Sequence, residues 1–186
     1  MLSLAVAPTG AVSATVQHSH AHTARACANA DAGALSTPLG RVRIAVVCLV
    51  NQQRTLHRLP PLRADGRLDH SAQGWSNAMV RLGLFTHGAN FTQRLDAVGY
   101  FWSDAGENIA TGFTTPRQVV DAWMASTGHC ENILSPDFAD VGTGVSTIPL
   151  GEYLPATWTQ DFGLWMGHRQ PSHNSAAARG CPYRVS

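Results

Sequence analysis

Apolar positions recur at helical spacing through the first two thirds of the chain and alternate near its end. From Arg41 to Arg58, Val42, Val46, Leu49, Val50 and Leu56 fall near one face, and Pro60-Pro61 stops the stretch. From Leu68 to Leu82 the period is clearest: Leu68, Ala72, Trp75, Met79 and Leu82 lie 4, 3, 4 and 3 residues apart. Gly83 follows as a C-terminal cap, and Trp75 and Met79 read as core. A short helix is expected over Asn90–Val98, with Asn90 and Gln93 at capping-box spacing and Gly99 ending it. Glu107–Thr111 reads as a short extended segment. Thr115 can cap a further helix, Pro116 suits its first turn, Gln118 can bond back, and Val119, Val120, Trp123 and Met124 form its buried stripe. Val141, Thr143, Val145 and Thr147 alternate, as do Leu154, Ala156, Trp158 and Phe162, so two strands are expected around a turn at Pro149–Glu152. Gln160 falls on the apolar face of the second strand, needs a hydrogen-bond partner there, and is expected to point toward a cleft.

Length and composition narrow the picture. At 186 residues, 44% hydrophobic and 13% charged, the chain suits one globular domain. A net charge of +1 and the lack of a basic stripe argue against nucleic acid as a partner. No apolar run reaches the 18 residues of a membrane span. Four cysteines, none spaced as CxxC, favour two disulfides in an oxidising compartment over a zinc site. Of three possible pairings, Cys27–Cys48 and Cys130–Cys181 would each staple a terminal segment to the core. The first would contribute roughly 3 kcal/mol by chain entropy. Residues 1–40 read as a signal-like leader lacking a basic start and a flexible linker, 41–165 as the domain, and 166–186 as a tail pinned by a disulfide. His18, His20 and His22 belong to that leader.

Candidate chemistry centres on His87, Glu107 and His129, with 20 and 22 residues between successive members. Two imidazoles and a carboxylate, if they converge, can bind a metal, act as general acid and base, or form a polar cluster that orders loops. Spacing alone does not separate these. His129-Cys130-Glu131 matches half of a zinc deaminase motif, but no PCxxC follows. Phosphate-binding loop, dinucleotide and G-x-S-x-G motifs are lacking, so no organic cofactor is expected.

A set of ordered motifs from Cys48 to Gly163 resembles the CAP superfamily, also called SCP-like: cysteine-rich secretory proteins, antigen 5 and plant pathogenesis-related proteins. The motifs are Asn51 with Arg54, Leu62 with Leu68, Phe85-Thr86-His87, Gly99-Tyr100, Gly106-Glu107-Asn108-Ile109-Ala110, Trp123-Met124, Ser126, Gly128-His129, Asn132-Ile133-Leu134, Val141-Gly142 and Trp158-Thr159-Gln160-Asp161-Phe162-Gly163. The WM-x-S-x-GH and NIL pattern is similar to the short bacterial branch, and the cysteine positions to secreted actinobacterial members. The resemblance implies an α+β fold, a three-layer α-β-α sandwich with a central antiparallel sheet. It also implies a cleft lined by a His, Glu, Glu, His tetrad. His87, Glu107 and His129 match three of its members. The second glutamate is missing, and Ser126 is the nearest polar residue.

These observations lead to a secreted binding module. The resemblance implies that His87 and His129 hold a divalent cation such as Zn²⁺, with Glu107 as third ligand or supporting partner, while Asn108, Ser126 and Gln160 shape the cleft. A lipid, a cell-wall fragment or a protein would be the extracellular ligand. The alternative is a metal-dependent hydrolase of peptidase or esterase type, in which Glu107 is the general base and His87 and His129 complete the catalytic set.

Overall fold

In a computed structural model, residues 26–152, 154–168 and 180–182 are described. The leader, its three histidines and Tyr183 lie outside them. The elements in chain order are α1 (Leu39–Leu56), β1 (Arg63–Ala64), α2 (Gly66–Leu82), α3 (Phe91–Ala97), β2 (Trp102–Thr111), α4 (Pro116–Met124), α5 (Thr127–Ile133), β3 (Asp140–Ser146) and β4 (Thr157–Trp165).

The strands form one sheet in the order β1-β3-β4-β2. β2 and β3 both pair antiparallel with β4, whereas the two-residue β1 runs parallel to β3. The sheet is therefore mixed rather than wholly antiparallel. Helices cover both faces, giving an α+β sandwich of three layers. Val141, Val145, Trp158 and Phe162 point toward α1 and α4 and join Val42, Val46, Val119 and Trp123 in the main core. On the other face Gly142 and Gly144 admit α2 so closely that a Cβ on either would overlap backbone atoms of Leu68, Asp69, Ala72 or Gln73.

Local sequence explains most boundaries. Thr115 Oγ1 accepts from the Gln118 amide at 3.2 Å, Pro116 opens α4, and Gly83 closes α2 in the left-handed region at φ +66°. The expected capping box at Asn90 does not form, because the Asn90 side chain makes no bond to the helix start. Leu56, expected on the buried face of α1, is exposed in its last turn. The expected extended segment at Glu107–Thr111 is the end of a ten-residue strand.

Both disulfides are present, Cys27–Cys48 and Cys130–Cys181. Residues 26–38, expected as flexible linker, pack on the domain: Ala30 and Ala34 are buried, and the Ala34 amide bonds Thr114 O at 2.8 Å. No helix among the described residues is long and apolar enough to cross a membrane.

Candidate functional site

β2 lies at one edge of the sheet and supplies Glu107. Its pairing with Asp161 of β4 sends both carboxyl side chains to the α2 face. Glu107 is almost wholly buried and is gripped from two sides. His87 Nδ1, on the loop after α2, stands 2.8 Å from Oε1, and the Arg94 guanidinium of α3 bonds Oε2. A carboxylate only accepts, so His87 Nδ1 donates to it and Nε2 is the ring nitrogen that Glu107 leaves open. The His87 side chain is 53% exposed, so that nitrogen can face the cleft.

Trp75 fixes this arrangement. Its indole N–H donates to Thr86 O at 3.0 Å, its ring carries the Arg94 guanidinium at 4.0 Å, and its edge lies where a side chain on Gly88 would have to go. Gly88 sits at φ +68°, a second reason for glycine there. The helical period had placed Trp75 in the core; the structure puts it half-exposed under the His87 loop.

His129 approaches from the other helical layer, on the first turns of α5. It is half-buried, and its pKa is lowered, first by burial and then by the nearby His87. Beside it a cavity of about 290 Å³ opens at the β2 edge, lined mainly by apolar groups including Phe85, Ile109, Phe113 and Trp123, with the hydroxyl residue Ser126 also on its wall. Asn108 and Gln160 lie behind it, fully buried on the sheet face opposite Glu107, because they pair with each other across β2 and β4. Asn108 Nδ2 donates to His129 O at 3.2 Å, and Asn132 Nδ2 bridges Asn108 Oδ1 at 2.8 Å and Glu107 O at 3.1 Å. These amides tie α5 to the strand. Trp123 Nε1 covers Ile109 O in the same way, at 3.4 Å.

Arg94, Trp75, Asn132 and Asp161 were missed as site residues. Asp161 is fully buried with neither carboxyl oxygen in a hydrogen bond. Burial, and next the charge of Glu107, push its pKa well above the carboxylate range; Ser71 and Arg94 are near enough to ease the shift without providing bonding geometry.

The donor set bears on a metal as follows. Among the described residues, no three His, Cys, Asp or Glu side chains gather as a metal cage. Both Glu107 oxygens are engaged, while His129 is disposed to stay neutral and His87 presents Nε2. The groups left open to a cation are therefore the two imidazoles, while Glu107 orients one of them.

The chain is similar to several known proteins. The uncharacterised protein YkwD of Bacillus subtilis is 39% identical over 122 residues, which are 63% of this chain and 45% of that protein. A membrane protein of the same organism, YlbC, is 30% identical over 104 residues, 54% of this chain and 30% of its own. The chain thus spans less than half the length of either. Among solved structures, an extracellular SCP-domain protein of Bacillus anthracis superposes with a TM-score of 0.60 at 26% identity, covering 67% of this chain and 41% of that one. An outer surface protein of Borrelia burgdorferi shares the fold with a TM-score of 0.56 at 20% identity, over 62% of this chain and 86% of its own. The family model of the cysteine-rich secretory proteins matches residues 47–162, well over half of the sequence and all of the His87–Glu107–His129 site, and the chain belongs to this CAP family.

Proposed function

We propose that this domain is an extracellular binding module whose cleft combines a two-histidine divalent-cation site with the adjoining apolar cavity. The observation that carries this reading is the state of Glu107. A general base needs an oxygen open to water or substrate, and here one oxygen is taken by His87 and the other by Arg94. Glu107 is built to hold a histidine still, which supports binding over hydrolysis. His87 Nε2 and His129 would hold the cation, zinc being the first candidate for imidazole ligands. A bound cation would supply a positive anchor for an oxygen or nitrogen atom of the ligand. The chain itself supplies the rest: Phe85, Phe113 and Trp123 take an apolar group, and Asn108 and Asn132 hold the two layers in register. Two disulfides and the extracellular SCP-domain relative support a location outside the cell. A lipid, a cell-wall fragment and a protein segment remain the ligand classes to screen.

The test is zinc titration by calorimetry at pH 7.5 and at pH 5, on oxidised chain carrying His18→Ala, His20→Ala and His22→Ala to silence the leader. One site is expected, weakened at pH 5 as imidazoles protonate and lost in His87→Ala/His129→Ala with the fold retained by circular dichroism. Unchanged stoichiometric uptake in that variant would sink the assignment.

A further inference from the structure

His129 sits on a helix that is held unevenly. The C-terminal half of α5 is firmly tied: Arg54 donates to Ile133 O at 2.9 Å and to Ser135 O at 2.7 Å, and Asn132 reaches β2. The N-terminal half has little of its own. α5 is only seven residues long, Ser126 makes no side-chain bond to its first amides, and Gly128 occupies its first turn. A helix of that length does not persist without outside contacts.

Part of that outside contact is the burial of Cys130 in the main core; the rest comes from residues 180–182. Thr127 Oγ1 donates to Pro182 O at 2.8 Å, and Cys130, next to His129, is bonded to Cys181. Gly180 lies against the His57 ring at the end of α1, where a Cβ would overlap the imidazole, and His57 Nδ1 is itself 2.8 Å from Gln53 O. Three successive residues therefore grip α1 on one side and the first turn of α5 on the other. The Asn108 bond to His129 O also ties that turn to the sheet.

We propose that Gly180–Pro182 is a strap that positions His129, and that its disulfide makes the cleft answer to the thiol–disulfide state of the surroundings. Cys130 is fully buried, whereas Cys181 is only half-buried, so attack is expected at the Cys181 side of the bond. A dithiol reductant would attack Cys181 Sγ with one thiolate, breaking the Cys130–Cys181 bond and releasing Cys130 as a thiolate that takes up a proton. The second thiol of the reductant then displaces Cys181, leaving two protein thiols and an oxidised, disulfide form of the reductant. Two electrons pass from the reductant to the protein disulfide. The strap is then free to leave, and the His129 turn loses its pin while the Arg54-bound half of α5 stays in place. This device is independent of what the cleft binds.

Native-state hydrogen exchange by NMR on the full oxidised chain tests it, with histidine ring resonances followed in parallel. Two amides report the two halves: Cys130, bonded to Ser126 O, and Ser135, bonded to Asn132 O. In Cys130→Ala/Cys181→Ala, and in wild type treated with a dithiol, the Cys130-position amide should exchange at least tenfold faster. Ser135 should change less than twofold, and the His129 ring signals should move while those of His87 stay. Thr127→Val, which keeps the disulfide, should accelerate the Cys130 amide about threefold, and Thr127→Ser should restore it. An unchanged Cys130 amide in the double variant, or equal acceleration of Ser135 and the β4 amides, would overturn the proposal. Zinc affinity that fails to appear at all would count against the cation site and leave the strap untouched.

Discussion

Asp161 and Glu107 stand side by side with very different partners. Glu107 has a guanidinium and an imidazole, whereas Asp161 has no hydrogen bond. A carboxyl whose folded pKa is raised binds its proton more tightly in the folded state than in the unfolded one. Its contribution to stability is therefore fully present below the unfolded value, near 3.9, and is lost as pH rises through the raised folded value. Asp161→Asn keeps the shape and removes the titration. The variant should melt at a higher temperature than wild type at pH 7, and the gap should close as pH falls below about 4; a constant gap across that range would show that Asp161 does not titrate this way. The residue also marks where reading the sequence stopped. His87, Glu107 and His129 were legible because their flanking motifs are distinctive. Asp161 was not, since strand alternation turns it away from Trp158 and Phe162 and only the packing of α2 reveals that this second face is covered too. Arg94 was not legible as a site residue either, because its partner is 13 positions further along the sequence.

Helix and strand packing depends on glycines whose roles differ sharply. Gly142 and Gly144 of β3 let α2 lie almost on the strand, and adding a methyl to either would push backbone against backbone. Gly144→Ala should cost about 3 kcal/mol or more in urea unfolding, at the upper end of overpacking penalties. Gly74 lies inside α2 with nothing near its would-be Cβ. Gly74→Ala should stabilise by roughly 0.5–1 kcal/mol because alanine favours the helix. A similar effect at both positions would contradict the close α2–β3 approach. Helices with capping residues and a clean period were readable within two residues of their observed ends, as Thr115-Pro116 and Gly83 illustrate. The two-residue β1 and the seven-residue α5 were not, since neither is long enough to show a period and both exist only through tertiary contacts.

Arg54 ties α1 to the end of α5 and to the connection that leads into β3. It is 1% exposed, and its guanidinium donates to Pro60 O and Ser135 O as well as to Ile133 O, with Phe138 O at 3.5 Å. Burial lowers its pKa to about 10, still well above neutrality, so the cation persists and the carbonyls around it act as its solvent. Arg54→Met would fill the space and leave those carbonyls bare. A loss of roughly 3 kcal/mol is expected, read from urea unfolding with the His87–Glu107 contact preserved; full stability would mean that water replaces the guanidinium. The capped β2 edge has a consequence for the molecule in company. An outer strand is ordinarily the place where a second chain can add itself and start an aggregate. Here Asn132 and Trp123 occupy the Glu107 and Ile109 carbonyls that such a chain would need. Trp123, which also walls the cavity, thus helps guard the molecule at high concentration, and a variant that removes Asn132 or Trp123 would be expected to favour self-association.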